Sequence, residues 1–244
     1  MPVNSTTFTL NNGVKIPALG FGTFANEGAK GETYKAVKCA LEVGYRHLDC
    51  AWFYHNENEV GDGIRDFLKE NPSVKREDLF IVTKVWNHLH EPEDVKWSLE
   101  NSLRNFGLTY IDLFMVHWPV AAERNDDYSV KIGADGKYVI NKDLTENPEP
   151  TWRAMEELLA SGKARSLGVS NWTIPGLKKL LGFAKVKPQK SNNHALIGRA
   201  RPRWRARLGI VPGARTNLGR SCIIIRLNRY LRYLPDGYVH GCQD

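Results

Sequence analysis

The chain has 244 residues, 42% of them hydrophobic and 25% charged, enough for one large α/β domain with a sizeable core. No apolar run reaches the length of a membrane-spanning helix, and the opening "MPVNSTTFTLNNG" lacks the charged-then-apolar pattern of a secretory signal, so a soluble, cytoplasmic protein is expected. The net charge of +7 sits in the tail: residues 190–244 hold ten Arg, one Lys and two Asp, whereas the preceding 189 carry 23 basic against 25 acidic residues, so the basicity belongs to the tail and no nucleic-acid partner is expected.

Along the chain, residues 6–19 ("TTFTLNNGVKIPAL") read as a β-hairpin, two apolar segments around Asn-Asn-Gly. A regular alternation follows. "LGFGTF" reads as a strand, and "GETYKAVKCALEV" as a helix with Tyr34, Val37, Ala40 and Leu41 on one face. "YRHLDCA" is a strand, "NENEVGDGIRDFLKE" a helix and "DLFIVTKVW" a strand. "PEDVKWSLENSLRNFG" is a helix that Gly107 should stop. "IDLFMVHW" is a strand. After a long polar insertion over 119–146 come the helix "PEPTWRAMEELLASG", the strand "ARSLGVSN", the helix "IPGLKKLLGFA", and "VKPQ", which opens a sixth strand.

Near-continuous apolar strands alternating with helices imply βαβ units and a parallel sheet covered on both faces. Right-handed crossovers add each strand in one direction and curl the sheet toward a (β/α)8 TIM-type barrel, of which about six strands and an N-terminal hairpin are legible. A doubly wound sheet ranks second, because "LGFGTFANEG" has Gly20 and Gly22 but no third glycine at the phosphate-turn offset. The cysteines at 39, 50, 222 and 242 show neither CxxC pairing nor metal-ligand spacing. Cys39 and Cys50 read as small buried residues in a reducing compartment.

Polar residues gather at the strands' C-terminal ends, where α/β barrels carry their active sites: Asp49, Lys84, His117, then Ser170 and Asn171. Taken singly, each has a bland reading: a surface ion pair for Lys84, a core histidine for His117, a packing ring for Tyr54. Together they suit proton transfer to a carbonyl oxygen. A phenol of pKa near 10 is too weak an acid–base group at neutral pH, and an ammonium beside Tyr54 is expected to pull it down. Asp49 would hold that ammonium charged, and His117 would orient the carbonyl. With no metal set in view, the electron pair must come from a cofactor.

"GYRHLDCAWFYHNENEVG", "VTKVW", "MVHWP" and "GKARSLGVSNW" resemble successive blocks of the aldo-keto reductase family, from about residue 6 to Gln189. The resemblance implies an eight-stranded barrel, monomeric in its complete form, that binds NADP(H) without a Rossmann domain and reduces small carbonyls or oxidises polyols. It implies Tyr54 as general acid tuned by Lys84 and Asp49, with His117 orienting the substrate. Ser170, Asn171 and Gln189 match positions that hold the nicotinamide amide, and Thr23 and Asp49 lie near the ribose. Phe24, Trp86 and Trp118, with His117, match the substrate wall, although Trp86 also suits an ordinary core position. Residues 137–177 are most similar to fungal glycerol dehydrogenases and glyceraldehyde reductases, with pentose reductases close behind.

From residue 190 the family pattern stops. No Pro-Lys-Ser cofactor-phosphate block is found in 190–244, and "GARTNLGRS" has the wrong glycine spacing for a P-loop. The expectation is a barrel region over 1–189 followed by a disordered basic extension, out of frame or altered by splicing. A basic amphipathic helix in "SCIIIRLNRYLRYL", suited to nucleic acid or a membrane surface, is its functional alternative. A non-catalytic product or binding module stands as the second reading of the whole chain.

Overall fold

A computed structural model describes residues 6–25 and 31–192. Strands β1 (Thr7–Thr9) and β2 (Lys15–Pro17) pair antiparallel as the expected hairpin. Then follow β3 (Phe21–Gly22), α1 (Glu32–Glu42), β4 (His47–Asp49), α2 (Glu57–Glu70), β5 (Phe80–Val85), α3 (Pro92–Phe106) and β6 (Leu113–Val116). After the insertion come α4 (Lys142–Glu146), α5 (Glu149–Ala160), β7 (Leu167–Ser170), α6 (Ile174–Phe183) and β8 (Lys190–Asn192). The six strands β3 to β8 are all parallel and lie in chain order. That order has no reversal point, which excludes the doubly wound alternative.

The pleat sorts each strand onto two faces. Leu48 and Cys50, Ile81 and Val85, Phe114 and Val116, and Leu167 and Val169 are buried in the layer between sheet and helices. Their neighbours face the other way: Phe80, Val82, Leu113 and Met115 form an inner cluster closed from below by Leu10 and Ile16 of the hairpin. Asn12 ties the hairpin to Ser166 and Arg165 at the entry to β7, and Asn11 to Pro188. The same alternation sends Asp49, Lys84, His117 and Ser170 to the inner face, above this plug.

The helices pack in succession around the sheet, α1 on α2, α2 on α3 and α3 on α5. Gly61 allows α2 to approach α3, since a Cβ there would lie 2.4 Å from the Phe106 carbonyl oxygen. Gly107 ends α3 with φ 65°, as expected, its amide bonded to Arg104 O. On α1, Val37, Ala40 and Leu41 face the core, but Cys39 is exposed. This corrects the expectation of a buried thiol: two positions beyond Val37, Cys39 falls on the opposite face of the helix. Cys50 is buried as expected.

The insertion is less polar in structure than in composition. Antiparallel bridges pair Ala122 with Ile140, Arg124 with Val130 and Ile132 with Tyr138, around a small core of Val120, Ala122 and Tyr138. Its Tyr128 ring stacks on Trp97 of α3 at 3.8 Å. The sixth strand begins at Lys190 rather than within "VKPQ", just past the boundary expected after Gln189. The expected disordered basic extension and its alternative, an amphipathic helix, fall on residues 193–244, outside the described residues, and no described helix is long and apolar enough to cross a membrane.

Candidate active site

Four consecutive strand ends and one tight turn build the site. β4 ends in Asp49, and the 3-10 turn Trp52–Tyr54 then brings Tyr54 over the sheet. His55 closes that turn in the left-handed region at φ 54°. Lys84 comes from the last turn of the β5 pleat and His117 directly follows β6. By register Lys84 stands level with Met115, and Asp49 with Val82 two positions lower. The long lysine stem therefore reaches back across the neighbouring strand to the carboxylate.

The Lys84 ammonium donates to Asp49 Oδ1 at 2.6 Å and to the Cys50 carbonyl at 2.8 Å. Nζ lies 5.3 Å from the centre of the Tyr54 ring. Burial disfavours the charged lysine, but the Asp49 carboxylate and Tyr54 outweigh it and hold Lys84 protonated, its pKa above the ordinary value. Tyr54 differs from expectation. Burial raises its pKa, Asp49 adds to the rise, and the charge and hydrogen bond of Lys84 only partly oppose it, so the net shift is upward. The reason is that the phenol and the carboxylate share one partly dry rim, a cost the sequence does not display. The resting Tyr54 is a protonated phenol with an ammonium beside it.

His117 is 8% exposed. Its ring lies edge-on to Tyr54 at 5.9 Å and to Trp86 at 4.8 Å. Phe24 packs edge-on against Tyr54 at 5.1 Å. Trp86 stacks on Phe53 at 3.7 Å and is itself buried, so it serves as core packing and as a wall of His117 at once. Trp118 follows His117, partly exposed at the same strand end. Thr23, past the end of β3, is buried and hydrogen-bonds the Asp49 carbonyl through both its amide and its Oγ1.

Ser170 and Asn171 stand at the exit of β7. Asn171 adopts φ 64° and donates from Nδ2 to the His117 carbonyl at 2.9 Å and to Ser170 Oγ at 3.0 Å. A carbonyl can only accept, so the amide orientation is fixed. That leaves Asn171 Oδ1 as an acceptor and the Ser170 hydroxyl hydrogen as a donor, the complement of a primary carboxamide. Gln189 does not join them. Its Oε1 accepts from Leu167 N at 2.5 Å and its Nε2 donates to Lys187 O at 2.7 Å, which puts it at the entry end of β7. The structure does not bring Gln189 together with Ser170 and Asn171: the β8 residue in register with Ser170 is Asn192. Gln189 precedes the strand and bonds backwards to its start.

Sequence reading missed Glu57. It is 2% exposed and accepts from Thr83 Oγ1 at 2.6 Å and from Asn105 Nδ2 at 3.1 Å. Burial raises its pKa against these hydrogen bonds and that of Ser102. An acidic residue one turn from Val60 on the apolar side of α2 was the available signal. It sits behind Lys84, next to Thr83 on the helix side of the sheet.

The model of the Aldo/keto reductase family matches residues 18–215. A glycerol 2-dehydrogenase (NADP(+)) of Hypocrea jecorina is 76% identical over 184 residues, 75% of this chain and 58% of that protein. A D/L-glyceraldehyde reductase of the same organism is 46% identical, over 75% of this chain and 54% of its own length. Among solved structures, the aldose reductase of Schistosoma japonicum superposes with TM-score 0.71 at 37% identity, covering 77% of this chain and 60% of that one. A Bombyx mori aldo-keto reductase in complex with NADP gives 0.67 at 32%, with 78% and 58% covered. The chain therefore spans somewhat over half the length of these relatives, and its TIM-type fold is the fold of the family.

Proposed function

The chain belongs to the aldo/keto reductase family, and from that premise we propose that it is a cytoplasmic NADP(H)-dependent oxidoreductase that interconverts small polyols and their carbonyl forms, glycerol and glyceraldehyde foremost. The observation that carries this reading is the Lys84–Asp49 pair at 2.6 Å beneath a protonated Tyr54, with the His117 ring against the phenol. The substrate class rests on the names of the two Hypocrea jecorina relatives. The cytoplasmic setting is supported by Cys39 and Cys50, which form no disulfide among the described residues.

The donor set fits the nicotinamide end of the cofactor. Ser170 and Asn171 offer the donor and acceptor that a carboxamide needs, and Thr23 and Asp49 stand at the ends of β3 and β4 on the same rim. When bound, NADPH supplies the electron pair for reduction. Every proton movement belongs to the protein. Tyr54 Oη gives its proton to the substrate oxygen as negative charge develops there. The phenolate left behind is stabilised by the Lys84 ammonium, which Asp49 and Cys50 O keep charged and aimed. His117 fixes the direction from which the carbonyl approaches, and Phe24, Trp86 and Trp118 flank that approach and exclude water. In the oxidative direction the phenolate takes the alcohol proton back.

The test is NADPH consumption by the purified chain with glyceraldehyde, and NADP+ reduction with glycerol. Tyr54→Phe keeps the ring and removes the transferable proton. It should lower turnover by about 10²–10⁴-fold while NADPH still quenches protein fluorescence with unchanged affinity. Near-normal turnover in this variant would sink the assignment.

A further inference from the structure

On the helix side of the sheet, away from Lys84, a groove of about 240 Å³ is lined by Trp52, His55, Glu57, Asn58, Asn101 and Asn105. Its floor is a continuous hydrogen-bonded chain. The Trp52 indole donates to Asn101 Oδ1 at 2.9 Å. Asn105 Nδ2 donates to that same oxygen at 3.2 Å and to Glu57 Oε2 at 3.1 Å, and Thr83 donates to Glu57 Oε1. An indole N–H can only donate, so the Asn101 amide has one allowed orientation, and the Asn105 amide follows from it. Asn101 is left presenting Nδ2 as a donor, and Asn105 presents Oδ1 as an acceptor. Asn58 adds a further amide at the mouth, and the Trp52 ring supplies an apolar wall.

We propose that this groove binds a small neutral polyhydroxy compound, a polyol or sugar, through the Asn101–Asn105 amide pair. Hydroxyl groups are donors and acceptors at once and satisfy the two preset amides together. At about 240 Å³ the groove suits a short-chain polyol. Ions are disfavoured. Glu57 lies beneath the surface with both oxygens already bonded, and desolvation lowers the His55 pKa and keeps its imidazole neutral at neutral pH. Its residues sit on α2, α3 and the turn that carries Tyr54, on the helix side of the sheet.

The test follows the tryptophan indole N–H signals of the 15N-labelled 244-residue chain during titration with sorbitol, with the Trp52 signal assigned from Trp52→Phe. The expected result is a saturable shift of that signal with a dissociation constant on the order of millimolar. Asn105→Leu, which removes the acceptor and fills the mouth, should weaken binding about tenfold. Should that variant lose its dispersed spectrum, Asn58→Leu on the exposed rim should produce the same weakening without touching the floor. A Trp52 signal indifferent to sorbitol, a shift equal in the folded variants, or a shift produced by propionamide or sulfate and not by sorbitol would each overturn the proposal.

Discussion

Lys84 and Asp49 form a 2.6 Å ion pair whose two halves lie at different depths: the lysine side chain is 3% exposed and the aspartate 30%. The cation is sealed in and depends on an anion that water can still reach. The consequence is asymmetric. Removing the carboxylate leaves a buried ammonium whose burial is opposed less, so its pKa falls.

Asp49→Asn retains an oxygen where Oδ1 accepts from Lys84 and removes only the charge. It should lower turnover by about 10–10²-fold through loss of phenolate stabilisation at Tyr54. Removing one partner of a buried pair typically costs ~3–5 kcal/mol, and the exposure of Asp49 reduces that to about 1–3 kcal/mol. Paired measurements of kcat and urea midpoint check both. Unchanged turnover would show that the pair is structural only.

The raised pKa of Tyr54 fixes the sign of the pH dependence. The phenol must be protonated to reduce a carbonyl and ionised to oxidise an alcohol. Carbonyl reduction should therefore hold level through neutral pH and fall as pH climbs toward a pKa above the ordinary tyrosine value. Oxidation should rise over the same range. Initial rates in both directions between pH 6 and 10, with a stability control at each pH, read this out. An oxidative rate that declines with pH in that window would remove Tyr54 as the acid–base group.

The strands and the polar residues at their exits are legible in the sequence for one physical reason. Each parallel strand is a short apolar run, so a polar residue ending it marks both the strand's exit and, through the pleat, the face it takes. Asp49, Lys84, His117 and Ser170 all carry that signal. Cys39 was misjudged because residue type was weighed above its angle on α1. The end of β8 at which Gln189 lies is not legible because a three-residue strand gives no pattern to fix its register, and one or two positions separate the entry of β8 from its exit. The upward shift of Tyr54 depends on how dry the rim is, a tertiary property. His88 and His90 are not legible because a polar residue in a polar stretch says nothing of its burial, whereas Glu57 shows only in its place on the apolar side of α2.

His88 and His90 lead to the next prediction. Both are buried, at 4% and 2% exposure. Burial lowers the pKa of His88 to about 4, against the hydrogen bond its Nε2 makes with the Tyr128 carbonyl, and lowers His90 to about 3. His90 Nε2 has no partner among the described residues. Folded pKa values below the unfolded one mean that the neutral rings favour the fold above pH ~6.5 and that this contribution is lost as pH falls toward their folded values. The urea midpoint should hold steady above pH 7 and decline from about 6.5 downward, before most carboxylates titrate. His90→Leu should flatten that decline between pH 6.5 and 5 by about one proton's worth, ~1.4 kcal/mol per pH unit. An unaltered slope would mean that His90 is hydrated in solution.

The two residues that part company at β7 give opposite expectations. Leu167 is fully buried; its amide donates to the Gln189 side chain at 2.5 Å and its carbonyl accepts the Gln189 amide at 2.8 Å. Gln189→Ala strands that N–H in the interior, at a cost of about 1–3 kcal/mol, yet removes nothing from the rim. NADPH affinity should stay the same and the urea midpoint should drop. Asn171→Gly does the reverse. Glycine accepts φ 64° without strain, so the backbone turn survives, but the acceptor Oδ1 and the bond to the His117 carbonyl are gone. Stability should change little, and NADPH affinity should fall about tenfold for the loss of one carboxamide contact and of the Ser170–Asn171 alignment. Fluorescence titration and urea denaturation on both variants decide between the two ends of the strand. A cofactor defect in Gln189→Ala with none in Asn171→Gly would restore the original assignment and overturn the placement of the nicotinamide at the β7 exit.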